Sequence, residues 1–221
     1  MTLFDRIRFL IVQSGRKEAD FCEQFGVQSI ADLPLVRLKE ICELLGISES
    51  QLLYHPSERK AFPKDIKLLI LDVDGVMTDG GMYFSDSGEQ LKKFNTKDGM
   101  GIIHLTRSGF QVGIISSGFK GEMVRHRAEM LKIQHFYLGR GQKLDILKEW
   151  CEKLNIRLHQ VAMIGDDVND LQVMQSIGYT AAPADAVPAV LQQVDCILRN
   201  KGGNGCVREF IDEVMKIQVE Y

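Results

Sequence analysis

The stretch LLILDVDGVMTDGG, Leu68 to Gly81, sets three carboxylates, Asp72, Asp74 and Asp79, just after or within an apolar run. A short apolar run of this kind reads as a buried strand. Buried strands do not end in acids unless something compensates the charge. Working outward from Asp65, further apolar runs follow at intervals: FQVGIIS, HFYLG, QVAMIGD, YTAAPA and DCILR. Between them lie the amphipathic stretches GIIHLTRSG, GEMVRHRAEMLK, KLDILKEWCEKLN, VNDLQVMQSIG and AVPAVLQQV, with VREFIDEVMKI last. Short apolar segments alternating with helical ones predict an α/β fold: a three-layer α/β/α, Rossmann-like parallel sheet covered on both faces. Ligands of such sheets bind at the carboxyl ends of the strands. Asp72, Asp74, Ser116, Ser117, Asp166 and Asp167 all fall there.

One segment breaks the rhythm. GGMYFSDSGEQLKKF, Gly80 to Phe94, has two extended pieces around Asp86-Ser87-Gly88 and predicts a β-hairpin flap after the first strand. Residues 1–60 differ again, and predict a small all-α extension joined by HPSERKAFPK to a domain spanning 65–221. IRFLIVQSG, KEADFCEQFG and LVRLKEICELLGISESQLLYHP read as short helices separated by Gly. ICELLGISESQLL and KEADFCEQFGV resemble parts of the helix-turn-helix regulators. QSIADLPLV, however, stands where the recognition helix belongs and lacks a basic face. With eight Lys/Arg against nine Asp/Glu, the first 60 residues carry no electrostatic footprint for nucleic acid, and a packing or oligomerisation module is favoured.

The first strand supplies Asp72 and Asp74; the fourth supplies GDDVND, with Asp166, Asp167 and Asp170. If the two strands are neighbours, these acids meet in one small volume. Like charges a few ångströms apart repel by roughly 1–4 kcal/mol per pair, so such a cluster is stable around a cation. Oxygen ligands without His or Cys select a hard ion, and few ligands plus water suit Mg²⁺. Ser116, just before Gly118, offers a hydroxyl and backbone N–H groups at a helix start, a phosphate-binding arrangement. Lys143, opening KLDILKEW, adds a point positive charge. Carboxylates, a hard cation, a hydroxyl and an ammonium together describe phosphoryl transfer, in which a carboxylate serves as nucleophile.

DVDGVMTD, ISSG at Ile115–Gly118, Lys143 and GDDVND at Gly165–Asp170 resemble, in order and spacing, the four motifs of the haloacid dehalogenase superfamily. That resemblance implies Asp72 as the nucleophile, and Asp74 as the acid that protonates the leaving alcohol and then activates water. It implies Mg²⁺ held by Asp72, the backbone carbonyl of Asp74 and Asp166, with Ser116 and Lys143 on the phosphoryl oxygens. Asp170 would orient Lys143, and Asp167 would stand behind the metal ligands. The hairpin segment, the ending KGGNGCVREF and the absence of a cap-sized insertion resemble the capless subfamily. That group acts on 3-deoxy-D-manno-octulosonate 8-phosphate or nononate 9-phosphates, or forms the phosphatase-like domain of N-acylneuraminate cytidylyltransferases. The resemblance implies a phosphorylated sugar acid as substrate and a homotetramer whose neighbours cover the site. Substrate contacts are expected from Ser117, Gly118, Thr78 and Arg208. The subfamily usually has Thr in motif II and often an Arg nearby. Here ISSGF takes that place, leaving Ser116 and Ser117 both open as the hydroxyl. A regulator sensing a sugar phosphate through the same domain is the alternative reading.

Composition agrees with a soluble chain. The 221 residues are 45% hydrophobic with a net charge of −3, and no run reaches the roughly 18 apolar residues of a membrane span. Five scattered cysteines without CxxC spacing suit reduced thiols and a cytoplasmic setting. His104, His126, His135 and His159 show no metal spacing, Arg125 and Arg127 read as a solvated helix face, and Gly202, Gly203 and Gly205 read as a flexible lead-in to the last helix.

Overall fold

A computed structural model describes residues 3–47, 49, 52, 60–86, 90–118 and 121–216. The chain divides into two compact units, Met1–Ser57 and Glu58–Tyr221. Among the described residues, no helix is long and apolar enough to cross a membrane.

The larger unit carries a six-stranded parallel sheet: β1 (Leu68–Leu71), β4 (Gln111–Ser116), β5 (His135–Leu138), β6 (Val161–Ile164), β7 (Tyr179–Ala182) and β8 (Cys196–Ile197). Their order across the sheet is β5-β4-β1-β6-β7-β8. The chain therefore builds outward from β1 on one side, then crosses back and builds outward on the other. The reversal falls between β1 and β6, where an open α/β sheet forms its ligand crevice. Leu71 pairs with Ile164, so the strand ends that deliver Asp72 and Asp166 lie side by side.

Alternation along β1 explains the three layers. Leu69 and Leu71 belong to the core on one face, with Val112, Ile114 and Ile164 and with Ile102, Leu105, Val207 and Phe210 from the covering helices. Leu68 and Ile70 belong to the opposite core, with Ile115, Val161, Met163, Leu147 and Val173. Each such fully buried side chain contributes about 1.5–3 kcal/mol of transfer free energy. That burial fixes the strand register and therefore the position of Asp72. The helices relevant to the site are α4 (Thr96–Arg107), α5 (Glu122–Met130), α6 (Lys143–Leu154), α7 (Leu171–Met174), α8 (Pro188–Leu191) and α9 (Cys206–Glu209). The hairpin has the expected arms, β2 (Tyr83–Phe84) antiparallel to β3 (Gln90–Leu91). Ser87 and Gly88 of its turn lie outside the described residues.

The smaller unit contains α1 (Leu3–Gln13), α2 (Glu18–Phe25) and α3 (Leu38–Leu45) around Ile7, Ile11, Phe21, Ile30 and Ile41. Two short turns, Ile30–Asp32 and Leu35–Arg37, stand where a recognition helix would belong. Pro34 between them lacks the N–H that a continuous helix would need. Most of SESQLLYHP and the first half of the linker lie outside the described residues.

Candidate active site

Asp72 follows β1 and is only 5% exposed. Its backbone N–H donates to the Ile164 carbonyl at 3.1 Å, extending the β1–β6 ladder to the acid itself. Lys143, at the start of α6, is equally buried, and its Nζ donates to Asp72 Oδ1 and to Asp170 Oδ1, each at 2.7 Å. Asp170 is fully buried, and its Oδ2 accepts the Asp166 N–H at 3.1 Å. Carboxylate oxygens of Asp72, Asp166 and Asp170 all lie within 4.8 Å of one another. These three anions and one ammonium leave two uncompensated negative charges in a largely dry volume.

The titration shifts express that imbalance. Burial pushes Asp72 up to about 7, with the Asp170 charge adding to the effect and Lys143 opposing it. Burial also pushes Asp166 up to about 8, reinforced by Asp72, Asp170 and Asp167. For Lys143, burial disfavours the charge, but the attraction of Asp72 and Asp170 outweighs it and raises the pKa. The donor set fits a hard dication. Both oxygens of Asp170 are already engaged, and Asp72 Oδ1 is taken by Lys143. The free oxygens for an ion therefore come from Asp72 and Asp166.

The turn after β1 is shaped to admit this cluster. Gly75 has φ +92°, and a Cβ there would lie 2.0 Å from Asp166 Oδ2. Only glycine supplies that conformation and that space together. A second strand of chain braces the turn from behind: Gly203 N–H donates to the Val76 carbonyl at 2.9 Å. A Cβ on Gly202 would fall 1.9 Å from the Gly75 carbonyl oxygen. The segment read as a flexible lead-in is thus a buried backbone support, because its partner is main chain that no side chain could approach so closely.

Other expected residues take different places. The Asp74 carboxylate stands outside the three-acid cluster, 40% exposed, and is bonded to Lys92 Nζ. Thr78, expected to contact substrate, is fully buried and donates its hydroxyl to the Val73 carbonyl at 3.1 Å, closing the turn. Asp167 is exposed and caps its own short turn through Val168 N–H at 2.7 Å. Ser116 closes β4 and is 3% exposed, whereas Ser117 is exposed and Gly118 half-buried. The helix expected to begin beside Ser116 begins at Glu122 instead, with Gly121 as its N-cap. Between the serine and that helix, a Cβ on Gly118 or on Gly121 would meet the Leu138 side chain at 3.3 and 3.1 Å. Arg208 pairs its guanidinium with Asp212 at 2.6 Å, one turn further on. Two residues escaped the sequence reading: Lys92, and Asp98, whose carboxylate caps the last helix by accepting Gly205 N–H at 3.2 Å and Arg208 N–H at 2.7 Å.

The sequence pattern of the haloacid dehalogenase-like hydrolases matches residues 112–210. The chain is 43% identical over 155 residues to 3-deoxy-D-manno-octulosonate 8-phosphate phosphatase of Escherichia coli, covering 70% of this chain and 82% of that protein. This chain belongs to the haloacid dehalogenase-like hydrolases. Among solved structures, the corresponding phosphatase from Yersinia pestis superimposes with a TM-score of 0.66 at 43% identity, over 69% of this chain and 82% of that one. The phosphatase from Moraxella catarrhalis, solved with magnesium, phosphate and the octulosonate molecule, gives 0.66 at 35% identity, over 69% and 87%. In this chain Asp72, Asp166 and Asp170 gather where the sheet reverses direction, with Lys143 on Asp72 and Asp170.

Proposed function

We propose that this hydrolase is a Mg²⁺-dependent phosphatase that removes the terminal phosphate of a 3-deoxy-2-ulosonic acid, of the 3-deoxy-D-manno-octulosonate 8-phosphate type. One observation carries the reading: Asp72 is buried at the sheet's reversal, held by Lys143 Nζ at 2.7 Å, with carboxylate oxygens of Asp166 and Asp170 within 4.8 Å. The named relatives act on this class of substrate, and one was solved with magnesium, phosphate and the sugar acid. Mg²⁺ would be held by Asp72, Asp166 and the Asp74 carbonyl, neutralising charge as phosphate enters.

Asp72 attacks phosphorus as the ester P–O bond breaks, and Asp74 gives its proton to the departing alkoxide. Asp74 then takes a proton from water, whose oxygen attacks phosphorus and releases Asp72. Lys143 offsets the phosphoryl charge and keeps the Asp72 carboxylate in one orientation. A serine hydroxyl at the end of β4, Ser116 or Ser117, contacts the phosphoryl oxygens. The same reading includes a homotetramer. Met82, Tyr83, Phe84 and Leu91 expose apolar surface on the hairpin, between 51% and 64%, and a second copy would bury it.

The test is kcat/KM over a panel of eight- and nine-carbon ulosonate phosphates. The eight-carbon ester should lead the panel, and Asp72→Asn should lose at least about 10³-fold. Full turnover by Asp72→Asn would remove the nucleophile assignment, and preference for a nine-carbon ester would move the substrate.

A further inference from the structure

Lys92 lies one residue beyond β3, on the hairpin's return arm, and belongs to none of the motifs above. Its side chain is only 7% exposed. A lysine so desolvated is stable only with an anionic partner. That partner is Asp74 Oδ1, on the turn after β1. The backbone of Lys92 is also held, donating to Met123 Sδ of α5 at 3.2 Å. The next residue makes an instructive contrast: Lys93 Nζ meets Asp79 Oδ2 at 2.7 Å, but with 66% of the lysine exposed. Consecutive lysines thus reach acids on either side of Thr78, and only the pair on Asp74 is withdrawn from water. Thr78 Oγ1 lies 3.5 Å from the same Asp74 Oδ1. The single Thr78 hydroxyl proton goes to the Val73 carbonyl at 3.1 Å, so Lys92 is the donor that fixes Oδ1.

We propose that Lys92 is a positioning residue for Asp74, pinning Oδ1 so that Oδ2 faces the ester oxygen. The inference rests on the phosphatase reading above. With Oδ1 fixed by Lys92, a proton taken up from solvent on Oδ2 as substrate binds passes to the ester oxygen as the P–O bond to the alkoxide breaks. Without Lys92, the half-exposed carboxylate samples rotamers that carry its proton away from that oxygen. The hairpin, otherwise peripheral, is thereby built into the proton-transfer step.

The role separates from a structural one by its dependence on the leaving group. A sugar alkoxide needs a proton to depart, whereas p-nitrophenolate leaves without one. The experiment compares the parent chain with Lys92→Met and Lys92→Arg, with Mg²⁺, on an alkyl phosphate such as an ulosonate phosphate or glycerol phosphate and on p-nitrophenyl phosphate. Lys92→Met should lower kcat on the alkyl ester about 10- to 100-fold, while its KM, and the rate of p-nitrophenolate release in the first turnover, which precedes the water step, move less than about threefold. Lys92→Arg should restore most of the loss. Lys92→Gln carries the same comparison should the methionine variant not fold. Equal losses on both esters, an effect on KM alone, or no loss would overturn the proposal. Failure of the ulosonate assignment would show separately, as a parent chain that turns over glycerol phosphate but no ulosonate phosphate. A parent chain inert toward both ester types would overturn the phosphatase reading and, with it, the role of Lys92.

Discussion

The N-terminal helical unit and the β1–β6 edge handle charge in opposite ways. In the N-terminal unit, ion pairs such as Arg8–Glu18 and Arg37–Glu40 stand in solvent, with side-chain exposures of 38–54%. Its interior is Ile7, Ile11, Phe21, Ile30 and Ile41. Arg6 is the buried charged exception among the described residues. At the β1–β6 edge, Asp72, Lys143 and Asp170 are all at most 5% exposed and crowded together. Folding explains the first pattern, Arg6 apart. The second is costly for folding, since each buried ion forfeits several kcal/mol of hydration that pairing only partly returns. Residues held against the preference of packing mark the functional region, and residues that follow it mark a scaffold.

After Asp72→Asn, the largest expected effect comes from Gly75→Ala. Its Cβ would stand 2.0 Å from Asp166 Oδ2 at φ +92°, so Asp166 must move or the turn must unwind. A loss of at least about 100-fold in kcat/KM and a destabilisation of roughly 1–3 kcal/mol should follow, read by turnover and thermal melting. Near-normal turnover would show that the acids need not be held so closely.

Next comes the charge imbalance itself. Folded Asp72 and Asp166 retain protons that the unfolded chain releases near pH 3.8, with folded values of about 7 and 8. The folded state therefore binds more protons, and metal-free stability falls as pH rises from about 4 through about 8. Asp166→Asn removes one of these groups. At pH 8.5 the metal-free variant should melt higher than its parent by on the order of 2 kcal/mol, about 5 °C for a chain of this size. The gap should close toward pH 4, and added Mg²⁺ should raise the parent's melting point but not the variant's. A parent more stable at high pH would reverse the sign and refute the repulsion.

The smallest effect belongs to the scaffold. Arg8→Ala, which breaks an exposed pair at 3.0 Å, should shift stability by less than about 1 kcal/mol and leave turnover unchanged. A large loss of activity there would blur the distinction between the two regions.

Most of the sheet was legible because β1, β4, β6 and β7 are apolar runs whose burial decides their register, and because Asp72 and Asp166 mark neighbouring strand ends. What escaped depends on partners distant in sequence. Lys92 and Lys93 are indistinguishable in the run LKKF until the hairpin's path shows which one reaches under it. Gly202 announces itself as a glycine, but the Gly75 carbonyl against which it packs lies on another loop. Thr78 was expected among the substrate contacts, yet the turn consumes its hydroxyl. GEMVRHRAEMLK marks the start of α5 to within one residue, but Ser116 ends β4 several positions earlier, so the serine and the helix start do not coincide. Over QSIADLPLV, read as lacking a basic face, the chain forms the two short turns Ile30–Asp32 and Leu35–Arg37.

The central claim is that Asp72 and Asp166 share one dication, and anomalous diffraction from crystals grown with Mn²⁺ in place of Mg²⁺ tests it directly. A single strong peak is expected within about 2.5 Å of an oxygen of each residue, lost in Asp166→Asn. Saturating Mn²⁺ with no density between these two carboxylates, or a peak elsewhere on the sheet, would contradict it.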